Sequence, residues 1–504
     1  MKTNILGLLI FMGGVLLSCD MDKYPYNSLP TGEAVRPGNL SDITTLRNGC
    51  FTYLRGLFTG DQVIAAEIQA DGLHAVAGYT NTYGNFYNWS YTGSGVGPWP
   101  GIWTMINQCN FFLQKADELM DTYTTAQQAT VKTYKGEAYF LRALAFEQLT
   151  LRYCVDYEPS TAASSLGIPI KLTYELSPSQ DYMARASLED TYKHMVSELD
   201  SAAKYVTATF TAGSPAPVTK EAIKALRARI LLQAHKYSEA AALAGELIGG
   251  YPLVPIASAE QINNFTAMWK DDKSNETIFQ AEGVREEAGS FNATGLYLLD
   301  KANNGETDNP DFIPSGKILD LYDFGTDIRT LAYFEDAEIT TPQGTATLTV
   351  CIKYPGNPAL YTEKTNYKNK PKILRMAEVY LVGAEAAYMA GQEGVANQWL
   401  NGLRKARIVG YVDGSYSGTA LRDQIRTERL KEMYLEGQRL WDLKRYGTGL
   451  ERRDSDVQDP TMTYLFGNSL TTALTVAADY YKFTWPVPIQ EKQTNSNFIQ
   501  NPEY

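Results

Sequence analysis

Two stretches of this chain carry the same pattern of small residues at an offset of 156 positions (228 to 384), and this repeat limits the fold more than any other feature. Ala228, Ala234 and Ala240 in the 222–248 stretch correspond to Ala384, Ala390 and Ala396 in the 377–404 stretch. Each stretch reads as helix, short turn, helix, with Ala234-His235-Lys236-Tyr237 and Ala390-Gly391-Gln392-Glu393 as the turns. Small residues at this spacing let the two helices of a hairpin come close. A hairpin cannot bury its second face by itself, so another part of the chain must cover it.

The unit resembles a tetratricopeptide hairpin, about 34 residues long. Two copies fall short of a regular solenoid. The pattern therefore predicts a mainly α fold, with tetratricopeptide-like helix hairpins packed against an irregular, loop-rich region with a few short strands. The hairpins are placed within about 102–250 and 371–447, and the irregular insertion at about 251–370. Apolar periodicity predicts further helices over 41–58, capped by Ser41 or Asp42, and over 102–121, 129–153 and 188–206.

Between Gly72 and Gly101 the helical pattern stops. The stretch is rich in Gly, Asn, Ser, Thr and aromatic residues, and structureless loops of this length are usually functional. Aromatic faces stack on the apolar faces of sugar rings, while neutral or acidic side chains hydrogen-bond the hydroxyls. Asp71, Tyr79, Tyr83, Asn85, Trp89, Tyr91 and Trp99 supply these groups, and Tyr297 adds a candidate from the insertion. Core packing or loop anchoring accounts for the same aromatics equally simply. The chain holds 34 tyrosines and 7 tryptophans, a composition that fits either use.

The amino terminus carries Lys2, an apolar run from Ile5 to Leu17, and Ser18-Cys19. The run is too short to span a bilayer, which takes about 20 residues. A basic start, a short apolar core and a small residue before Cys describe an export leader with a bacterial lipobox. Cleavage at 1–18 would leave Cys19 to carry the lipid, with 19–40 as a Pro- and Gly-punctuated tether and 41–504 as a single domain. The alternative is an ordinary cleaved leader with Cys19 incidental.

The formal charge is −12, or −13 once Lys2 leaves with the leader, which argues against nucleic acid or anionic lipid as ligand. Cys50, Cys109, Cys154 and Cys351 form no CxxC motif. One or two disulfides, or buried free thiols, fit this spacing. His74, His194 and His235 form no ligand set, so no metal site and no cofactor are expected. No nucleophile elbow, phosphate loop or HExxH motif occurs. Glu428, Glu432 and Glu436 lie four apart and read as one helix face. Three carboxylates in a row need cations, and a structural ion-pair network is preferred here over a catalytic acid and base.

An ordered set of motifs runs through the second half. It comprises Arg375 to Leu381 with Gly383-Ala384-Glu385-Ala386, Leu400 to Arg407, Ile425 to Arg429, Glu432, Glu436 to Arg439, Trp441 to Arg445, Trp485 to Ile489, Asn501-Pro502 and Tyr504. Trp269, Asn275 to Phe279, Asp327-Ile328-Arg329 and the 103–110 stretch join it. In this order they resemble the SusD/RagB family of Bacteroidota outer-membrane lipoproteins over essentially the whole mature chain.

The resemblance implies a surface lipoprotein, held in the outer membrane by its lipid. It would capture a glycan and deliver it to a SusC-like TonB-dependent transporter, with no chemistry of its own. It also implies a glycan site built partly from the early loop, carried here onto Asp71, Trp89 and Trp99. Peptide or glycoprotein nutrients with the same partner, and a surface glycosidase, are the alternatives.

Overall fold

The computed structural model describes residues 35–504 apart from 77–81, 94–95, 175–181, 214–216, 286–299, 302–306, 309, 342–343, 363–367 and 459–473. The leader, most of the tether and Cys19 lie outside the described residues, as do Tyr79 and Tyr297.

The two hairpins form where the repeat places them. Lys220–Gln233 and Tyr237–Gly250 make the first, and Met376–Met389 and Glu393–Lys405 the second. Their turns are the same structure. His235 (φ 55°) and Gly391 (φ 77°) take the left-handed conformation at equivalent positions. Lys236 N donates to Leu231 O at 2.8 Å, and Gln392 N donates to Ala387 O at 2.8 Å. His235 N and Gly391 N close the inner bond to Leu232 O and Tyr388 O at 3.1 and 3.0 Å. A left-handed residue closing a helix in this way satisfies carbonyls that the helix end leaves bare. The hairpins meet along Tyr237–Gly250 and Met376–Met389. The seam is close at Gly383, where a Cβ would lie 2.9 Å from Ala244 Cβ and 2.8 Å from the Trp399 ring.

Two longer helices extend this layer. Thr125–Tyr153 begins four residues before the expected Ala129, because Thr124 and Gln127 form a capping box. It packs between Trp99–Glu118 and Leu188–Tyr205. The amino-terminal helix is Leu40–Phe51, with a separate turn at Leu54–Leu57. Its cap is Asn39, which accepts from Ser41 N and Asp42 N, rather than either of those residues.

The covering region is less irregular than expected. It contains the helix Ala259–Lys270 and an eight-residue antiparallel pair, Phe334–Thr341 with Gly344–Cys351, in register from Phe334↔Cys351 to Thr341↔Gly344. Thr277–Gln280 pairs with Lys372–Arg375 and so brings Arg375 to the start of the second hairpin.

Arg375 belongs to the buried charge network that joins the cover to the helices. The helix Gly418–Glu432 carries Glu428 and Glu432, but it ends there. Leu435 (φ 57°) and Gly437 (φ 75°) turn the chain, so Glu436 is not on that helix face. Glu428 bridges Arg329 and Arg404, each at 2.7 Å. Glu432 accepts from Arg329 at 3.1 Å, Arg375 at 2.5 Å and Arg407 at 3.0 Å. Glu436 accepts from Arg375 at 2.6 Å and Lys353 at 2.7 Å. Arg429, Arg439 and Arg445, the neighbours in sequence, pair elsewhere, with Asp442, Asp71 and Glu385. Burial opposes ionisation of Glu432, but Arg407, Arg375 and Arg329 outweigh it and hold the group well below the usual carboxylate range.

The tail docks onto the helices through Asn501. Asn501 Nδ2 donates to Tyr153 O at 3.0 Å and Trp485 O at 2.8 Å, and its Oδ1 accepts from Arg185 Nη1 at 2.7 Å.

Candidate functional site

The early loop starts from the helix Asp61–Gln69, whose last turn serves as a hydrogen-bonding hub. Gln69 Nε2 donates to Tyr91 Oη and Lys482 O, both at 3.2 Å, and its Oε1 accepts from Trp485 Nε1 at 3.0 Å. Its main-chain carbonyl accepts from Trp89 Nε1 at 2.9 Å. These bonds settle the fate of two of the predicted aromatics, Trp89 and Tyr91. Trp89 is 4% exposed and packs edge-on against Phe483, centroid to centroid 4.8 Å. Tyr91 is buried and donates to Lys482 O at 2.6 Å.

Trp99 is 1% exposed, bonded through Nε1 to Glu491 Oε1 at 3.0 Å and enclosed by Trp103, Tyr153 and Phe498. Asp71 is buried under Arg439, with bonds of 2.7 and 2.8 Å. Here the expectation is corrected. Asp71, Trp89, Tyr91 and Trp99 hold the loop to the core, and their faces and oxygens are spent inside it. Gln69 and Lys482 draw in Trp89 and Tyr91, Glu491 holds Trp99 and Arg439 holds Asp71, so three of these four partners come from far along the chain.

The surface of the loop has a different composition. Tyr83 (φ 58°) is half-buried at the start of the short helix Gly84–Tyr87. Asn85 is exposed and closes a turn, its carbonyl accepting from Ser90 N at 2.8 Å, with Asn88 and Ser90 exposed beside it. Lys482 Nζ donates to Trp89 O at 2.7 Å and brings in Tyr480 and Tyr481, which sequence reasoning missed. Both are half-buried, as is Tyr504. Tyr481 meets Tyr480 at 4.9 Å and Tyr504 at 4.8 Å, with planes inclined at 63° and 72°. Tyr504 Oη donates to Thr484 O at 3.0 Å, so the cluster is braced by the docked tail. The adjacent Tyr480-Tyr481, just before the Trp485-Pro486 motif, was the available signal.

A second relationship concerns the insertion. Leu73–Ala75 pairs antiparallel with Phe312–Pro314, Leu73 opposite Pro314 and Ala75 opposite Phe312, and Val76 N donates to Asp311 O at 3.0 Å. Val76 and Asp311 thus lie together at one end of this ladder. Separately, a cavity of about 410 Å³ is walled by Phe210, Tyr251, Phe265 and Met268, with Asn264 and Asn275 among its polar lining. Among the described residues no group of three or more His, Cys, Asp or Glu is placed to hold a metal ion.

Two family models match the chain. The SusD family matches residues 258–504, and a family described as starch-binding and associating with the outer membrane matches residues 64–232. The chain belongs to the SusD/RagB family. The solved structures agree with this SusD-like fold. A SusD superfamily protein from Bacteroides thetaiotaomicron superposes with a TM-score of 0.73 at 22% identity, over 92% of this chain and 100% of that one. A SusD superfamily protein from Bacteroides vulgatus gives 0.73 at 21%, over 93% and 100%. A protein described as a SusD-like carbohydrate binding protein, also from Bacteroides vulgatus, gives 0.72 at 17%, over 92% and 97%. No curated protein matches the chain.

Proposed function

We propose that this SusD-like chain is a cell-surface lipoprotein that captures an oligo- or polysaccharide and delivers it to a SusC-like TonB-dependent transporter. The observation that carries this reading is the half-exposed Tyr480, Tyr481 and Tyr504 cluster, with Tyr480 against Trp89 at 6.0 Å and Trp89 flanked in the chain by the exposed Asn88 and Ser90. Aromatic faces next to neutral hydrogen-bonding groups suit sugar rings and their hydroxyls. The ligand face takes in this cluster together with Tyr83. The names of the matching family and of the carbohydrate-binding neighbour point the same way. Cys19 carries the lipid that holds the chain in the outer membrane, facing outward. No helix among the described residues is long and apolar enough to cross a membrane.

Capture needs no chemistry, and the glutamate row is committed elsewhere. Glu428, Glu432 and Glu436 are each neutralised by buried cations.

Native affinity electrophoresis through gels containing plant, microbial and host polysaccharides tests the proposal, with Tyr480→Ala/Tyr481→Ala alongside. One glycan should retard the wild type and release the variant. Retardation that survives in the variant but is lost in Tyr251→Ala would move the site to the 410 Å³ cavity. No retardation by any glycan would sink the glycan reading and favour a peptide nutrient.

A further inference from the structure

The helix Leu40–Phe51 runs antiparallel along Trp99–Glu118, and glycine opens the contact on both sides. A Cβ on Gly49 would sit 3.4 Å from Gln108 Oε1. One turn further, Tyr53 occupies the space above Gly101, where a Cβ would fall 1.5 Å from the phenol oxygen. This register sets Cys50 against Cys109. Both thiols are free in this structure and buried in the same core cluster, at 1% and 0% exposure, with Cys50 Sγ donating to Leu46 O at 3.8 Å. The neighbouring Cys109 thiol, together with burial, pushes the Cys50 thiol up.

We propose that Cys50 and Cys109 are a disulfide-forming pair that closes as the chain folds in an oxidising compartment. The Sγ–Sγ bond forms as both thiols lose their protons and the pair gives up two electrons. A disulfide oxidant of the glutathione class accepts them and leaves as two thiols. Once the helices have packed, the pair is shielded from such an oxidant, so closure belongs to folding. A bridge across adjoining helices needs Cα atoms about 4.4–6.8 Å apart, which a glycine-opened contact permits. The bridge would staple the helix that follows the tether to the body of the fold, and its loop of nearly sixty residues is long enough for a sizeable gain.

The full chain, exported with its leader to an oxidising periplasm, is unfolded in guanidinium containing iodoacetamide, so that every free thiol is alkylated, and digested without reductant. Mass spectrometry should find a Cys50–Cys109 linked peptide as the main form, with Cys154 and Cys351 alkylated. Reduction should lower the unfolding midpoint by several degrees, a shift absent from Cys50→Ala/Cys109→Ala. Alkylation of both Cys50 and Cys109 in chain that had folded before the quench, or linkage of either to Cys154 or Cys351, would overturn the proposal. The readout does not involve glycan, so its outcome is independent of the binding reading.

Discussion

Arg439 holds Asp71 through two parallel hydrogen bonds, Nε to Oδ1 at 2.7 Å and Nη2 to Oδ2 at 2.8 Å, so a residue that reads as a sugar ligand is a buried clamp. Burial opposes the charge on Asp71, but Arg439, with Lys317 behind it, outweighs that and holds the carboxyl well below its ordinary 3.8. Because the folded value is depressed, this stabilisation is present above pH 3.8 and is lost as pH falls below it. Asp71→Asn strands a buried guanidinium and should cost about 3–5 kcal/mol, read as a lower urea midpoint at pH 7. The deficit should shrink in acid, where wild type loses the same charge.

Glu67 behaves oppositely. It is buried and accepts from Gln438 N at 2.9 Å, yet burial raises it from 4.5 to about 7, only partly offset by main-chain donors at Gly437, Gln438 and Arg439. A raised folded value means stability fully present below pH 4.5 and lost as pH rises through 7. Glu67→Gln keeps the acceptor and removes the charge. Its midpoint relative to wild type should climb between pH 5 and 8.5, to an advantage on the order of 2 kcal/mol. Parallel pH curves for the two proteins would contradict this.

The hairpin turns offer a purely conformational test. A Cβ at Gly391 meets nothing within 4 Å, so Gly391→Ala pays only for the left-handed backbone, about 1 kcal/mol. Chemical denaturation should show this loss, with Gly391→His, copying His235, no worse than Ala.

Trp99→Ala separates structure from recognition. With Trp99 enclosed by Trp103, Tyr153 and Phe498, truncation should cost about 3–5 kcal/mol. Tyr481→Ala, on a half-buried ring, should leave the unfolding midpoint within about 1 kcal/mol while weakening glycan retardation. A Trp99→Ala protein with wild-type stability and lost binding would restore the tryptophan to the ligand face.

The hairpins could be read in the sequence because their causes are local. Alanine spacing fixes which helix faces meet, and Thr124 with Gln127 marks a helix start even though the periodicity begins later. Composition alone could not decide the loop. Trp89 and Trp99 look the same on a sugar-binding face as in a core, and what buries them includes Phe483 and Glu491, supplied from far along the chain. The glutamate row was correctly read as structural, but its partners Arg329, Arg375 and Arg407 come from three separate segments. Sequence neighbours mislead where charges pair through the fold.

The hub at Gln69 bears on how this protein comes into being. Its side chain waits for Lys482 and Trp485, just as Glu67 waits for Gln438 and Asp71 for Arg439. A growing chain would hold these buried polar groups unmet until more than three hundred further residues had emerged. Closure across such separations is slow. The early third of the chain therefore stays open and threadable until the last third arrives to lock it.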